Sequence, residues 1–213
     1  MATNLDLQEQ EQLDEFKSWW QKWGNLILGA VTVVLAAIAA YNGWQWYQRS
    51  QTGEAAARFD LVQKGATEND RKKVRDATGE ILEKYPRSVY APIAAFISAK
   101  MHFESGDLKT ARGQLQWIVD NSREPEMQSM ARLRLANVMV DEKAYDDAMK
   151  VLSEKVGAPF VAIAALLKGD ILALQGKKAD ARAAYKEADS TADIKDTALR
   201  DRVRERLDAL GES

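Results

Sequence analysis

The apolar and charged positions divide the chain into two parts. Between Lys22 and Arg49 there is no charged residue, a run of 26 positions. A soluble helix of this length would keep a polar face, whereas a membrane-spanning helix needs about 20 mainly apolar residues. After Arg49, apolar residues recur at helical spacing in segments of roughly 12–16 residues separated by short breaks. The pattern predicts an all-α chain, with one apolar N-terminal helix followed by a helical domain.

Tryptophans cluster at both ends of the apolar run. Trp23 and Trp44 are 21 positions apart, which is about 32 Å along an α-helix. The hydrocarbon core of a bilayer is about 30 Å thick, and Trp side chains collect at its two edges. The sequence therefore predicts a single transmembrane helix with its aromatic belt at residues 23–47. The residues predicted to form this anchor are Trp23, Leu26, Ile27, Leu28, Val31, Val33, Val34, Leu35, Ile38, Trp44 and Trp46.

A cleaved signal peptide is the main alternative to a retained anchor. Ala37 and Ala39 have the spacing of a small-residue cleavage site. However, the segment before the run is long and acidic, whereas the start of a secretory signal is short and basic. The aromatic residues after the run also make sense only if the helix is kept. We therefore favour a retained anchor.

The segment before the anchor, residues 1–22, is acidic and partly amphipathic. It carries a net charge of −3, and Leu13, Phe16, Trp20 and Trp23 recur at helical spacing. One apolar stripe fits either an interfacial helix or a helical extension of the anchor. We favour the extension.

Positive charges on the two sides of the anchor are nearly balanced. Lys17 and Lys22 precede it, and Arg49 and Arg58 follow it. The positive-inside rule therefore favours a cytoplasmic N-terminus only slightly. We expect the N-terminal tail in the cytoplasm and the large domain, residues 48–213, on the other side of the membrane.

The domain after the anchor reads as helices joined by short turns. No stretch alternates in the way expected of a β-strand, and the strong helix formers dominate the composition. Helices joined by turns of two to six residues are typical of stacked helical hairpins. The predicted breaks are Gly65, Tyr85-Pro86, Ser105–Asp107, Asn121–Pro125, Lys143-Ala144, Gly157–Pro159 and Gly176-Lys177.

Three segments of the domain align on their turns. They end in alanines 37 and then 33 positions apart, close to the tetratricopeptide period of 34 residues. A small residue lies seven positions before each turn, and a large residue lies four positions after each final alanine. Small residues let the helices of a hairpin approach closely, and large ones fill the space between hairpins. The predicted packing residues are Ala99, Gly106, Ala111, Leu115, Ala136, Ala148, Leu152, Gly169, Gly176, Ala181 and Tyr185.

These segments resemble tetratricopeptide repeats, although the aromatic and leucine positions of the first helix are degenerate. One hairpin cannot bury its apolar face alone, so such repeats stack into an α-solenoid. A fourth, poorer unit is predicted from Ala55 to Pro86, and a terminal capping helix at Asp196–Leu210.

The arrangement of the whole chain resembles the YfgM-type ancillary subunits of the bacterial SecYEG translocon. The shared features are the acidic tail, the anchor with its tryptophans, the aromatic segment Gly43–Tyr47 and the degenerate repeats, with diffuse motifs at Leu133–Ala136 and Gly169-Asp170. The resemblance covers nearly the full chain. It implies a single-pass protein of the cell inner membrane with a periplasmic domain. It also implies the SecYEG translocon and a membrane-anchored periplasmic chaperone as partners, with the lipid bilayer around the anchor.

The sequence offers little material for catalysis. It has no cysteine and a single histidine, His102, and no glycine-rich loop that would hold phosphate. We predict no catalytic, cofactor-binding or metal-binding residue. His102 is interpreted as a packing residue and the acidic pair Asp146-Asp147 as helix-start charges. The near-neutral domain gives no electrostatic footprint for nucleic acid.

Helical-repeat domains commonly present a surface to another protein. We therefore expect a non-enzymatic, membrane-tethered scaffold that helps pass translocated proteins to periplasmic chaperones. The alternative is a membrane-anchored regulator that sequesters a signalling or transcription-regulator protein. The side of the membrane on which the domain lies separates the two hypotheses.

Overall fold

The computed structural model describes the backbone of residues 7–193 and 195–211, and the side chains of residues 13–45, 52–193 and 195–211. The chain divides into two compact units, Met1–Gln51 and Thr52–Ser213. Every regular element in the part described is a helix, which confirms the predicted all-α fold class.

The described residues contain nine α-helices and one short 3-10 turn. They are α1 Leu7–Thr67, α2 Arg71–Lys84, α3 Tyr90–Glu104, α4 Leu108–Asn121, α5 Pro125–Asp141, α6 Tyr145–Ser153, the 3-10 turn Ala158–Phe160, α7 Val161–Leu174, α8 Lys178–Thr191 and α9 Thr197–Ala209.

The N-terminal unit consists of the first part of α1. Its segment Leu13–Gln45 is long and apolar enough to cross a membrane, and almost none of it is buried. Seven large aliphatic side chains between Leu26 and Ile38 are 48–69% exposed. Hiding that much aliphatic surface from water is worth on the order of 10 kcal/mol, which is comparable with the stability of a whole small domain. The apolar surface of this segment therefore requires apolar surroundings.

The C-terminal unit is a stack of helical hairpins. From α2 to α9, each helix packs against the next along the chain. In addition, α3 contacts α5, α5 contacts α7, and α7 contacts α9. The hairpins are α1–α2, α3–α4, α5–α6 and α7–α8. In the first of these, α1 contributes only its residues from Thr52 onward, and Phe59 and Val62 pack against Val74 of α2. The first helices of successive hairpins are neighbours, and α9 closes the end of the stack.

The turn inside each hairpin has the same backbone conformation. Asn69, Gly106, Lys143 and Gly176 all have positive φ, between 54° and 81°. In each turn the amide of the following residue donates to the carbonyl five positions earlier, with N···O distances of 2.8–2.9 Å. This bond satisfies a carbonyl that the end of the helix would leave without a partner. The turn therefore reverses the chain in the same way four times.

Gly65 is not a break, contrary to the prediction from the sequence. It is buried within α1, and the turn comes four residues later at Asn69. A Cβ at Gly65 would lie 2.9 Å from Cγ2 of Val74 on α2. The glycine is needed for the close approach of two helices, which a composition-based search for breaks cannot distinguish from a turn.

The fourth unit predicted from the sequence, Ala55 to Pro86, is the α1–α2 hairpin, the first along the chain. Seven positions before its turn lies Val62, and five and nine positions after it lie Val74 and Thr78, all fully buried. These are the positions that small and large packing residues occupy in the other three hairpins. The Thr78 hydroxyl donates to the Ala94 carbonyl at 3.5 Å. The repeat pattern is thus kept in structure where its residue types have changed.

Candidate functional site

Two adjoining clefts follow the first helices of the hairpins. One, of about 330 Å³, lies between α3 and α5, and we call it the α3–α5 cleft. The other, of about 480 Å³, lies between α5 and α7 and reaches α9, and we call it the α5–α7 cleft. Asn137 on α5 lines both clefts and is exposed. The two clefts adjoin at Asn137, and we refer to them together as the groove.

The α3–α5 cleft combines aromatic side chains with positive charge. Phe103 is 38% exposed, and Phe96 lies two turns earlier on the same face of α3, half-buried. The Arg134 guanidinium lies over the Phe96 ring, 4.7 Å from its centroid. A cation over an aromatic face is attracted by the electron density of the ring. This contact places the exposed side chain of Arg134 beside an apolar surface.

The floor of the same cleft comes from residues that the repeat pattern places there. Ala99 on α3, Leu115 on α4 and Val138 on α5 are nearly fully buried. Lys100 is exposed at the rim and pairs with Glu104, one turn further along α3, at 3.7 Å. The cleft therefore has an apolar floor and a mainly cationic rim.

The α5–α7 cleft is apolar, with one polar cluster at its end. Leu174, the last residue of α7, is a large apolar side chain that is 60% exposed. At the other side, Asp170 accepts hydrogen bonds from the Tyr185 hydroxyl at 2.8 Å and from Arg206 Nε at 2.9 Å. The cluster joins α7, α8 and α9 and neutralises the carboxylate.

Burial and this hydrogen bond change the acidity of Tyr185. Desolvation is the first cause of its raised pKa, and the bond to Asp170 is the second. The phenol therefore stays protonated and remains a donor across the physiological range. Arg206 also donates to Asp170, and the pKa of its guanidinium is raised, first by this hydrogen bond.

A second charged cluster joins neighbouring hairpins. Arg112 on α4 donates to Glu142 at 2.9 Å, just after α5, and to Asp147 on α6 at 3.1 Å. The pKa of the guanidinium is raised, first by the bond to Asp147. Asp147 also lies in the first turn of α6, as its sequence position predicts. The stack that carries the groove is thus tied together by ion pairs as well as by apolar contacts.

The structure divides the predicted packing residues between the hairpin turns and the contacts between helices. Gly106 and Gly176 lie at the left-handed turns and are exposed. A Cβ at Gly169 would overlap the ring of Tyr185, so the smallest residue of the set faces the largest. The remaining predicted residues are all buried: Ala99, Ala111, Leu115, Ala136, Ala148, Leu152 and Ala181.

The predicted anchor residues lie in the N-terminal unit. Ile27 is half-buried, and the side chain of Trp46 lies outside the described residues. The other nine are exposed: Trp23, Leu26, Leu28, Val31, Val33, Val34, Leu35, Ile38 and Trp44.

His102 is a buried residue at the end of α3. It is 4% exposed, and its Nδ1 lies 2.8 Å from the Ser98 carbonyl oxygen. The contact joins two residues of the same helix, α3, and gives Nδ1 a local partner. The position agrees with the packing role expected from the sequence.

Sequence reasoning missed most residues of the groove. Phe96, Arg134, Asn137, Asp170 and Arg206 belong to four different helices, and their contacts depend on how hairpins stack. The repeat alignment gave only an indirect indication of the groove. Residues next to Ala99 and Ala136 in the aligned repeats face the first helix of the neighbouring hairpin. Without the register of the stack, that signal does not single out Arg134.

Comparison with known proteins places the fold. Residues 17–212 match the family described as the tetratricopeptide repeat-like domain. The chain is 29% identical over 189 residues to the ancillary SecYEG translocon subunit of Neisseria gonorrhoeae, covering 88% of this chain and 90% of that protein. It is 27% identical over 187 residues to the ancillary SecYEG translocon subunit of Escherichia coli, covering 87% and 89%. The resemblance inferred from the sequence is confirmed, and the chain belongs to the tetratricopeptide repeat-like domain family.

Proposed function

We propose that the protein is a membrane-tethered, non-enzymatic scaffold at the Sec translocon. Its groove would bind translocated proteins, or a membrane-anchored periplasmic chaperone that receives them. The observation that carries the proposal is the groove along α3, α5 and α7, in which Phe103 and Leu174 remain exposed. Large apolar side chains exposed in adjoining clefts are typical of surfaces that bind other proteins.

The apolar segment Leu13–Gln45 supports the tethered part of the proposal. We place it in the inner membrane, with residues 1–22 in the cytoplasm and the C-terminal unit in the periplasm. The relatives are named as subunits of the SecYEG translocon, which supports a position beside that channel. Tethering raises the effective concentration of the groove near emerging chains, so weak contacts suffice.

A topology reporter fused after Ser213 tests the orientation. Periplasmic activity of the reporter is expected. Cytoplasmic activity would overturn the hand-off function and favour the sequestering regulator instead, because the groove would then meet cytoplasmic proteins.

Site-specific photo-crosslinking in cells tests the partners. A photoreactive residue at Val34 in the apolar segment is expected to capture a SecYEG subunit, and one at Asn137 in the groove a secreted protein or a periplasmic chaperone. The matched control is Glu83, an exposed position on α2 outside the groove. Equal capture at Asn137 and Glu83, or no SecYEG capture at Val34, would contradict the proposal.

A further inference from the structure

We infer that the α3–α5 cleft selects polypeptide segments that carry a carboxylate beside a large apolar side chain. This inference rests on the proposed binding function and specifies its substrate class. It combines the two properties that the cleft brings together, an exposed aromatic surface and a guanidinium with free donors.

Arg134 supplies the polar half of the site. It forms no ion pair with any residue in the part of the chain that the structure describes, and its guanidinium lies over the Phe96 ring. The contact with the ring face uses none of the guanidinium N–H groups as hydrogen-bond donors to a carboxylate, and these donors match the two oxygens of a carboxylate. Arg134 is therefore held ready for an acidic partner group.

The charges around Arg134 favour the same partner. Lys100 lies across the cleft from Arg134. Its ion pair with Glu104 is exposed to solvent, and exposed pairs of this kind contribute little free energy. In the adjoining α5–α7 cleft, the Asp170 carboxylate is already held by Tyr185 and Arg206. An approaching carboxylate thus meets Arg134, which has no acidic partner among the described residues, while Lys100 and Glu104 at the rim offset each other.

Phe96 and Phe103 supply the apolar half of the site. Phe103 is 38% exposed, and the floor beneath it is the buried side chains of Ala99, Leu115 and Val138. An aromatic or long aliphatic side chain placed there would bury apolar surface next to Arg134, which strengthens the ion pair by excluding water.

Asn137 indicates a polypeptide rather than an isolated acid. Its exposed amide stands where the two clefts join. A side-chain amide both donates and accepts hydrogen bonds, and so matches one peptide group of an extended segment. A segment that continues past Asn137 would enter the α5–α7 cleft, where Leu174 is exposed.

The test measures binding of labelled peptides to the full chain in detergent micelles. The probe is a ten-residue peptide with blocked ends and one Phe flanked by two Glu. Its two comparison peptides replace either both Glu by Gln or the Phe by Ser. Blocked ends remove the terminal carboxylate as a source of charge, and micelles without protein give the background.

The expected result depends on both halves of the probe. The parent peptide should bind, and each comparison peptide should bind about tenfold more weakly, in line with the loss of a charge-assisted contact or a buried aromatic group. Arg134→Gln should weaken binding of the parent peptide about tenfold and leave the Gln peptide unchanged. Phe103→Ser should weaken both the parent and the Gln peptide. The matched control is Arg87→Gln, an exposed arginine on the turn before α3, with no effect expected.

Three results would overturn the inference. These are equal binding of the parent and Gln peptides, an unchanged affinity in Arg134→Gln, and complete displacement of the peptide by lauric acid at lower concentration, which would make this a fatty-acid site. Circular dichroism of each variant ensures that a loss of binding is not a loss of fold. If Asn137 captures secreted proteins in cells and Arg134→Gln leaves that capture unchanged, the proposed function stands and this inference fails.

Discussion

The contact between Gly169 and Tyr185 sets how closely α7 and α8 approach. The ring of Tyr185 lies where the Cβ of any larger residue at position 169 would have to be. The same ring ends in the hydroxyl that holds Asp170. One tyrosine therefore combines the packing of a hairpin with the polar cluster at the end of the α5–α7 cleft.

Gly169→Ala should destabilise the C-terminal unit by about 1–3 kcal/mol, because the added methyl group forces the ring or the helix to move. The measurement is urea denaturation of the full chain in detergent, followed by circular dichroism. The control is Gly113→Ala on α4, where a Cβ would meet nothing within 4 Å. That change should stabilise the protein by roughly 0.5–1 kcal/mol, since Ala is the better helix former. Equal effects at the two sites would contradict the packing role of Gly169.

The raised pKa of Tyr185 predicts a pH dependence in alkaline solution. The folded state favours the neutral phenol, so the stabilising contribution is fully present below the unfolded pKa of about 10. It is lost as the pH rises from there toward the higher folded pKa. Wild type should therefore exceed Tyr185→Phe in stability at pH 8 by about 1–2 kcal/mol. The difference should shrink above pH 10, and a difference that stays constant between pH 8 and 11 would contradict the assignment.

The four hairpin turns show how one local conformation builds the stack. Each turn needs a left-handed residue, and glycine adopts this conformation without strain, whereas other residues do so at a cost of about 1–2 kcal/mol. Two of the four positions are glycine, and the others are Asn69 and Lys143. Asn tolerates the conformation better than most residues, so the strain is concentrated at Lys143.

Substitutions at equivalent turns should therefore act in opposite directions. Lys143→Gly should stabilise the protein by roughly 0.5–1 kcal/mol, and Gly176→Ala should destabilise it by about 1–2 kcal/mol. Both positions are exposed, so the effect comes from the backbone and not from lost side-chain contacts. Urea midpoints of the two variants in the same detergent test this. A shift of both midpoints in the same direction would show that the turns are not equivalent.

The whole chain joins an exposed apolar helix segment to a domain with an apolar groove. Each feature exposes hydrophobic surface, but the shape and polarity of the two surfaces differ. The segment around Leu26–Ile38 is exposed on every side, which suits lipid or other membrane helices. The groove is bounded by helices and lined by both charged and apolar groups, which suits a polypeptide.

Membrane attachment should be abolished by charges in the middle of the apolar segment. In Val33→Arg/Leu35→Arg, each arginine opposes insertion by about 2.5–3.5 kcal/mol. Wild type should remain in the membrane pellet after alkaline carbonate extraction, and the double variant should be released. The control, Gln63→Arg/Glu83→Arg, adds arginines at exposed positions of the C-terminal unit and should stay in the pellet. Retention of the first variant would contradict a single spanning helix.

Features set by neighbouring residues were predictable from the sequence. The helices and the turns at Gly106, Lys143 and Gly176 follow from periodicity and local backbone preference, which act over a few residues. The small and large packing positions, such as Gly169 and Tyr185, were found because repetition displays them three times. Gly65 shows the limit of this reasoning, since a glycine needed for close packing carries the same local signal as one needed for a turn.

Contacts between distant residues were decided only by tertiary structure. Phe96 and Arg134 meet because α3 and α5 are neighbouring first helices, and Asp170 and Arg206 meet because α9 folds back onto α7. The sequence determined that the chain has a long apolar segment and a stack of repeats, since both depend on patterns along the chain. Which exposed side chains share a groove, and which charge is left without a partner there, depends on the geometry of the stack. That geometry is the sum of many weak packing contacts, and none of these is encoded in a short segment of sequence.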